Sequence, residues 1–296
     1  MTLRRILLLA LCAAVMFGAA ASVWAEEEVA VKDAMQAPSK AISTTQEEGV
    51  VNETTQAPAQ EAAQTIDQRA LDTLKTMSDT LAKAKTMSFQ VRSMVPIRTP
   101  DGIWINLYGT SRVIMQAPDK LFAATAGDFA AHDFYFDGKT ITSYSPDKNL
   151  YTVRPAPATI DAMIEDEYAK YGKSFPYADI LVSEPYEVLT DGLIGALYVG
   201  VSTLRPLTGP GGIKTEHLVF SNKGVEWQIW IGSEDHLPHM VVATYLDDTS
   251  EPSYSVEFGD WKINDPVDPA VFVFGNASNA SKVEFRDPAA NKQEVL

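Results

Sequence analysis

The chain has 296 residues, 39 acidic against 24 basic side chains, a net charge of −15 and a single cysteine, Cys12. So acidic a protein lacks the positive field that nucleic acid requires, and it has no electrostatic attraction to anionic headgroups. With no cysteine after position 12 there is no disulfide, thiol nucleophile or cysteine metal site in the body of the chain.

The opening MTLRRILLLALCAAVMFGAAASVWAEEE places Arg4 and Arg5 before an apolar run from Ile6 to Ala21, and Val23 and Ala25 stand just ahead of Glu26. The spacing predicts a cleaved secretory signal over 1–25 and a periplasmic protein, because the run is short for a span of about 20 residues and small residues precede an acidic cluster. Leu11 stands where a lipoprotein signal needs a small residue, so Cys12 is not expected to be lipidated. Loss of two arginines leaves the mature chain near −17. Residues 26–64 are rich in Ala, Gln, Glu and Pro, with no aromatic residue and no hydrophobic period. They cannot bury enough surface to offset their ordering entropy and read as a disordered acidic tether. Aromatics then run from 65 to 285, which reads as one domain, and 286–296 reads as a frayed tail.

Within the domain, Thr65-Ile66-Asp67-Gln68 has capping-box spacing, and Ala70, Leu74, Met77, Leu81 and Ala84 form one helical stripe to about Lys85. Alternation at Phe89, Val91, Ser93 and Val95 predicts a strand, Pro100-Asp101-Gly102 a turn, and Ile103 to Met115 a second long strand. Strands are expected at Leu121–Ala124, His132–Phe136, Thr140–Tyr144 and Leu150–Val153, with a two-residue hairpin at Asp137-Gly138. Thr159 caps an internal helix with apolar face Ile160, Met163 and Ile164, ended by Gly172, and Phe175–Leu181 packs beside it. Strands resume at Tyr186–Thr190, Ala196–Leu204, Ile213–Ser221, Val225–Ile231, Met240–Tyr245 and Tyr254–Ile263, and Val271–Phe274 is expected as a last edge strand. The fold class is mainly β (α+β). About 11 antiparallel strands form a meander curled into a half-barrel, with the N-terminal and internal helices covering its concave face.

The stretches EWQIWIGSEDHLPHMVV and GDWKINDPVDPAVFVF resemble the periplasmic lipoprotein carrier family of LolA and its receptor LolB. The segments PDKLFAAT, FYFDGKTIT, YSPDKNLY, FPYADIL and LVFSNKGVEWQIWI resemble the predicted periplasmic domain-of-unknown-function family 2092, over about Asp67–Phe285. The resemblance implies a half-barrel with helices as a lid over an apolar cavity, and it carries no activity. For the arginine that handles cargo in the lipoprotein carrier, Arg92 and Arg112 are candidates only by lying on early strands.

The candidate cavity residues are Leu74, Met77, Leu81, Phe89, Val91, Trp104, Tyr108, Phe122, Phe134, Phe136, Met163, Ile164, Phe175, Trp227 and Ile229. Any one of them is by default a core residue; together they suit a curved sheet whose hollow one side cannot fill. The leading expectation is a non-enzymatic periplasmic binder or carrier of a lipid, acyl chain or lipoprotein anchor, with a possible envelope protein partner and no cofactor. A filled scaffold module is the second reading. A metal-dependent hydrolase is the third, resting on His236 and His239 beside Glu234 and Asp235. Histidines three apart share a side only on a helix, and Pro238 disfavours one there. Gly209–Thr215 lacks the adjacent Gly-Lys of a phosphate loop and reads as a strand connector.

Overall fold

A computed structural model describes residues 65–171, 177–207, 209–246 and 252–285. The expected signal segment, tether and tail, and Phe175, lie outside the described residues. The first helix, α1 (Gln68–Ala82), buries Ala70, Leu74, Met77 and Leu81, the stripe its three-to-four spacing requires. Its N-cap is Asp67 and not Thr65: Asp67 Oδ1 accepts from Arg69 N at 2.9 Å. Thr65 is held elsewhere, its carbonyl accepting from Ala196 N at 3.0 Å.

Five hairpin-linked strands follow the first: β1 (Thr86–Arg98), β2 (Trp104–Gln116), β3 (Lys120–Gly127), β4 (His132–Phe136), β5 (Thr140–Ser145) and β6 (Leu150–Pro155). The chain then makes α2 (Ile160–Tyr171), a 3-10 turn (Ala178–Ile180) and the short α3 (Pro185–Leu189). It returns as β7 (Leu193–Leu204), β8 (Ile213–Asn222), β9 (Val225–Gly232), β10 (Pro238–Tyr245) and β11 (Ser253–Ile263), and ends with a 3-10 turn (Pro269–Phe272) and β12 (Ser281–Lys282). All twelve strands form one curved open sheet in the order β12-β6-β5-β4-β3-β2-β1-β11-β10-β9-β8-β7.

The order differs from one continuous meander. β1 lies mid-sheet and pairs with β11, so two hairpin runs meet there and the chain crosses from the β6 edge to the β7 edge between them. The stretch expected as a strand at 186–190 is the helix α3, which Pro185 starts at its first position, where a fixed φ and a missing N–H cost nothing. Val271–Phe274 is not a strand either. Asp268 Oδ1 accepts from Ala270 N at 3.0 Å and caps a 3-10 turn, and the edge strand is instead β12, paired parallel to β6. The Asp137-Gly138 hairpin does form, with Gly138 at φ 86 and Asp137 Oδ1 accepting from Lys139 N and Thr140 N at 2.9 and 2.7 Å.

The sheet has two apolar faces. The inner one, facing the helices, carries the main core. On the outer one the C-terminal strap seats Phe272 against Ile114 and Phe122, and Phe274 against Tyr135, Tyr144 and Tyr151 at 4.9–5.6 Å between ring centres. This seat generates a test of the strap. Phe272→Ala, at 1% exposure, is expected to cost about 3–5 kcal/mol in urea unfolding, and Val273→Ala, at 57%, less than about 0.5 kcal/mol.

Candidate functional site

Strand register builds the site. Opposed residues share a face, and from β4 to β1 the pairs Phe134–Ala123, Ala123–Val113 and Val113–Phe89 carry one line across the inner face, with Phe136, Leu121, Met115 and Met87 along the next. From β11 to β8 the inner line runs Tyr254, Ala243, Trp227 and Phe220. Trp227 stacks on Phe220 at 4.4 Å, and its Nε1 donates to Asn222 Oδ1 at 2.8 Å. Three segments roof this face. α1 lies over β7, β8 and β9, and α2 is tied to β6 through Glu167 and Arg154. In the middle, the ring of Tyr177 meets Phe89 edge-on at 5.8 Å. Burial drives the Tyr177 phenol up to about 12, against a smaller pull from its hydrogen bond with Ser111.

Eleven of the candidates come together here: Leu74, Met77, Leu81, Phe89, Val91, Phe134, Phe136, Met163, Ile164, Trp227 and Ile229, none more than 5% exposed. Three do not. Trp104, Tyr108 and Phe122 lie on the outer face, because unbroken β1–β2–β3 pairing keeps the even positions of β2 opposite Ser88 and Phe122, away from Val113 and Met115. Arg92 and Arg112 share that outer face, both exposed, with Arg92 3.4 Å from Glu257. Phe175 lies outside the described residues.

Two features were not legible from spacing. Strict alternation after Val256 and Phe258 would turn Asp260 inward. A bulge with Asp260 at φ 53 instead lets it accept from Gln90 Nε2 at 2.8 Å and turns Trp261 onto Phe89 at 4.3 Å, with Nε1 donating to Pro238 O at 2.9 Å. The second feature is polar. Arg154, on the inner face opposite Ile141, forms a buried ion pair with Glu167, and its guanidinium lies 5.0 and 4.9 Å from the ring centres of Tyr171 and Phe285. Asp179, in the central 3-10 turn, keeps part of its surface in solvent. Its Oδ1 is nonetheless enclosed and accepts no hydrogen bond among the described residues, and burial pushes the carboxyl up to about 7.

The histidine loop is a connector tied by its own hydrogen bonds, among them Leu237 N to Asp235 Oδ1 at 3.1 Å and Gly232 N to Leu237 O at 2.9 Å. His239 is buried, with Nε2 3.0 Å from Asp235 Oδ2, whereas His236 is exposed at φ 55. Burial opposes the charge on Asp235, but hydrogen bonds with His239 and from Leu237 N outweigh it and hold the carboxyl below its ordinary range. Among the described residues no group of three or more His, Cys, Asp or Glu could hold a metal ion. The 209–212 stretch leads into β8 and opens no helix.

A family model described as "Predicted periplasmic protein (DUF2092)" matches residues 70–286. The chain belongs to this family. It is accordingly a periplasmic protein, and among the described residues no helix is long and apolar enough to cross a membrane. No curated protein matches it. Similar solved structures include an uncharacterized conserved protein from Thermus thermophilus, at 12% identity, TM-score 0.41 and coverage of 73% of this chain and 99% of that one. Others are LprF from Mycobacterium bovis, at 10%, 0.40, 69% and 96%, and a LolA superfamily protein from Nitrosomonas europaea, at 9%, 0.30, 69% and 97%.

The two buried polar features generate predictions. Glu167→Gln leaves Arg154 as an unpaired buried charge and is expected to cost about 3–5 kcal/mol by denaturant unfolding; replacing the pair together by Met and Leu is expected to restore most of that loss. For Asp179 the folded value, about 7, lies above the ordinary 3.8. Protonation therefore favours the fold: the contribution is complete below pH 3.8 and is lost as pH rises toward about 7. Asp179→Asn should flatten this slope, so that thermal melts of variant and parent diverge in the variant's favour between pH 4 and pH 7.

Proposed function

We propose that the protein is a non-enzymatic periplasmic binder of an acyl chain, carrying a lipid or lipoprotein anchor between the inner sheet face and the segment that crosses it. The observation that carries this reading is the nature of the roof. The inner face is covered by helices and turns and not by a second hydrogen-bonded sheet. Among the described residues the crossing is held to the sheet by its buried apolar side chains and by polar contacts that include Ile160 N to Pro118 O, Arg154 to Glu167 and Asn222 Nδ2 to Asp191 O. Lifting it would break those contacts and leave every strand ladder intact. An acyl chain that took its place would regain about 0.8 kcal/mol per buried methylene. A signal removed before Glu26 and an acidic tether over 26–64 complete the proposal, the tether giving the domain reach toward an envelope partner.

A second reading has its own observation. With the roof closed, the eleven clustered side chains are already buried by the protein itself, which suits an interaction module with a filled core. One experiment separates the two. Native mass spectrometry of the mature protein purified from its own periplasm is expected to show a lipid-sized adduct, and an apolar dye should bind and be displaced by a fatty acid. Protein that is ligand-free, ignores dye and fatty acid, and retains a protein partner in pull-downs would replace the carrier reading with the interaction module.

A further inference from the structure

The C-terminal strap starts on one face of the sheet and finishes on the other. Phe274 lies against Tyr151 on the outer face, at 4.9 Å between ring centres, whereas Phe285 reaches Arg154, which faces the inner side opposite Ile141. Between them the chain turns round the β6 edge. Asn276 closes that turn, its Oδ1 accepting from Ala280 N at 2.6 Å and its Nδ2 donating to Ala280 O at 3.3 Å. Tyr144 Oη lies 3.0 Å from Ser278 Oγ, and Asn149 Nδ2 donates to Ser278 O at 3.2 Å, which pins the turn to the β5–β6 hairpin. β12 then pairs with β6, Ser281 N donating to Asn149 O at 3.0 Å and Val283 N to Tyr151 O at 2.9 Å. The ladder stops there, short of Phe285.

On the inner side three parts of the molecule meet at one guanidinium. Arg154 comes from the sheet. Glu167 and Tyr171 come from α2, spaced so that they share one side of that helix. Phe285 comes from the tail. The Arg154–Glu167 pair is almost closed to water, at 8% and 1% exposure. The rings of Tyr171 and Phe285 lie 5.0 and 4.9 Å from the guanidinium, and they meet each other edge-on at 5.4 Å. An ion pair resists separation to the degree that water is kept from it. Exposed, the same contact holds far less, because solvent hydrates both charges as they part. A cation over an aromatic ring gains from desolvation in the same way. Within this seal Phe285 belongs to neither the sheet nor the roof, and it lies beyond the ladder that fixes β12.

We infer that Phe285 is the latch of the roof on its β6 side. While its ring covers Arg154, α2 can rise only by parting two charges in a dry site. When the ring swings away, water reaches the pair, the charges part easily, and α2 opens with the strand ladders intact. The use of this opening for ligand entry rests on the carrier reading; the opening itself does not. If an acyl chain enters by taking the place of the roof, weakening the latch raises the binding-competent population. Binding then tightens by as much as opening increases. A side chain that only lines or stabilises a site has the opposite effect when it is truncated.

Hydrogen exchange of the mature full-length protein, followed by mass spectrometry, tests the latch without a ligand. Phe285→Ala is expected to speed exchange of the α2 amides about tenfold and to leave β1–β3 and α1 at the parent rate. Phe285→Tyr, which keeps the ring, should exchange like the parent. Phe285→Leu should shift α2 in the same direction by less, and it serves if the alanine variant does not fold. Displacement of an apolar dye by a fatty acid reads the coupling, and Phe285→Ala should bind the fatty acid about tenfold more tightly. Unchanged α2 exchange overturns the inference. So does exchange that rises in β1–β3 and α1 together with α2, which would make Phe285 an ordinary packing residue. Fatty-acid binding that Phe285→Ala weakens or leaves unchanged overturns the gating role. Selective opening of α2 in a protein that takes up neither dye nor fatty acid supports the latch and removes the carrier reading instead.

Discussion

The structure depends on one topological constraint. β1 occupies the middle of the sheet and pairs on one side with β2 and on the other with β11. Each hairpin run grows outward from or inward to that strand, so the chain must pass from the β6 edge to the β7 edge between them. A connection of that kind crosses a face. It crosses the inner one, because that face presents Phe89, Phe134, Phe136 and Trp227, whose burial is the largest favourable term on offer. The helices, the central Tyr177 turn and the closed core all follow from this crossing.

The edges and outer face show how the rest of the chain is used. β12 pairs with β6, and the Thr65–Asp67 segment bridges to Ala196 at the start of β7, so backbone groups at both ends of the sheet find partners. The C-terminal strap covers the outer face of the β2–β6 half and then brings Phe285 over Arg154, beside the ion pair that ties α2 to β6. A buried pair of this kind costs desolvation that its attraction only partly returns. It joins α2 to β6 by a polar contact amid otherwise apolar packing.

The roofed inner face is where an acyl chain would replace the protein's own side chains. That proposal rests on a physical asymmetry: apolar surface that the ladder hydrogen bonds do not hold down can change its partner without unfolding the sheet.

How much of this was legible in the chain differs by level. The α1 stripe, the Asp137-Gly138 hairpin, most strand positions and most of the inner-face residues follow from local spacing, because period and turn chemistry are properties of neighbours along the chain. The periplasmic compartment expected from the opening charge and apolar pattern is the one that family membership gives. Period two separates the faces of β2 but does not say which one will be covered, so Trp104, Tyr108 and Phe122 read as equals of Val113 until β3 and the strap choose between them. The same holds for Pro185–Leu189, whose apolar run suits strand or helix, and for Trp261, which a single bulge turned inward. Local spacing by itself determined the elements and their apolar stripes. Only the long-range pairing of β1 with β11, which brings together residues as distant as Gln90 and Asp260, 170 positions apart, decided which stripes became core, roof or exposed surface, since side-chain alternation is blind to what lies opposite.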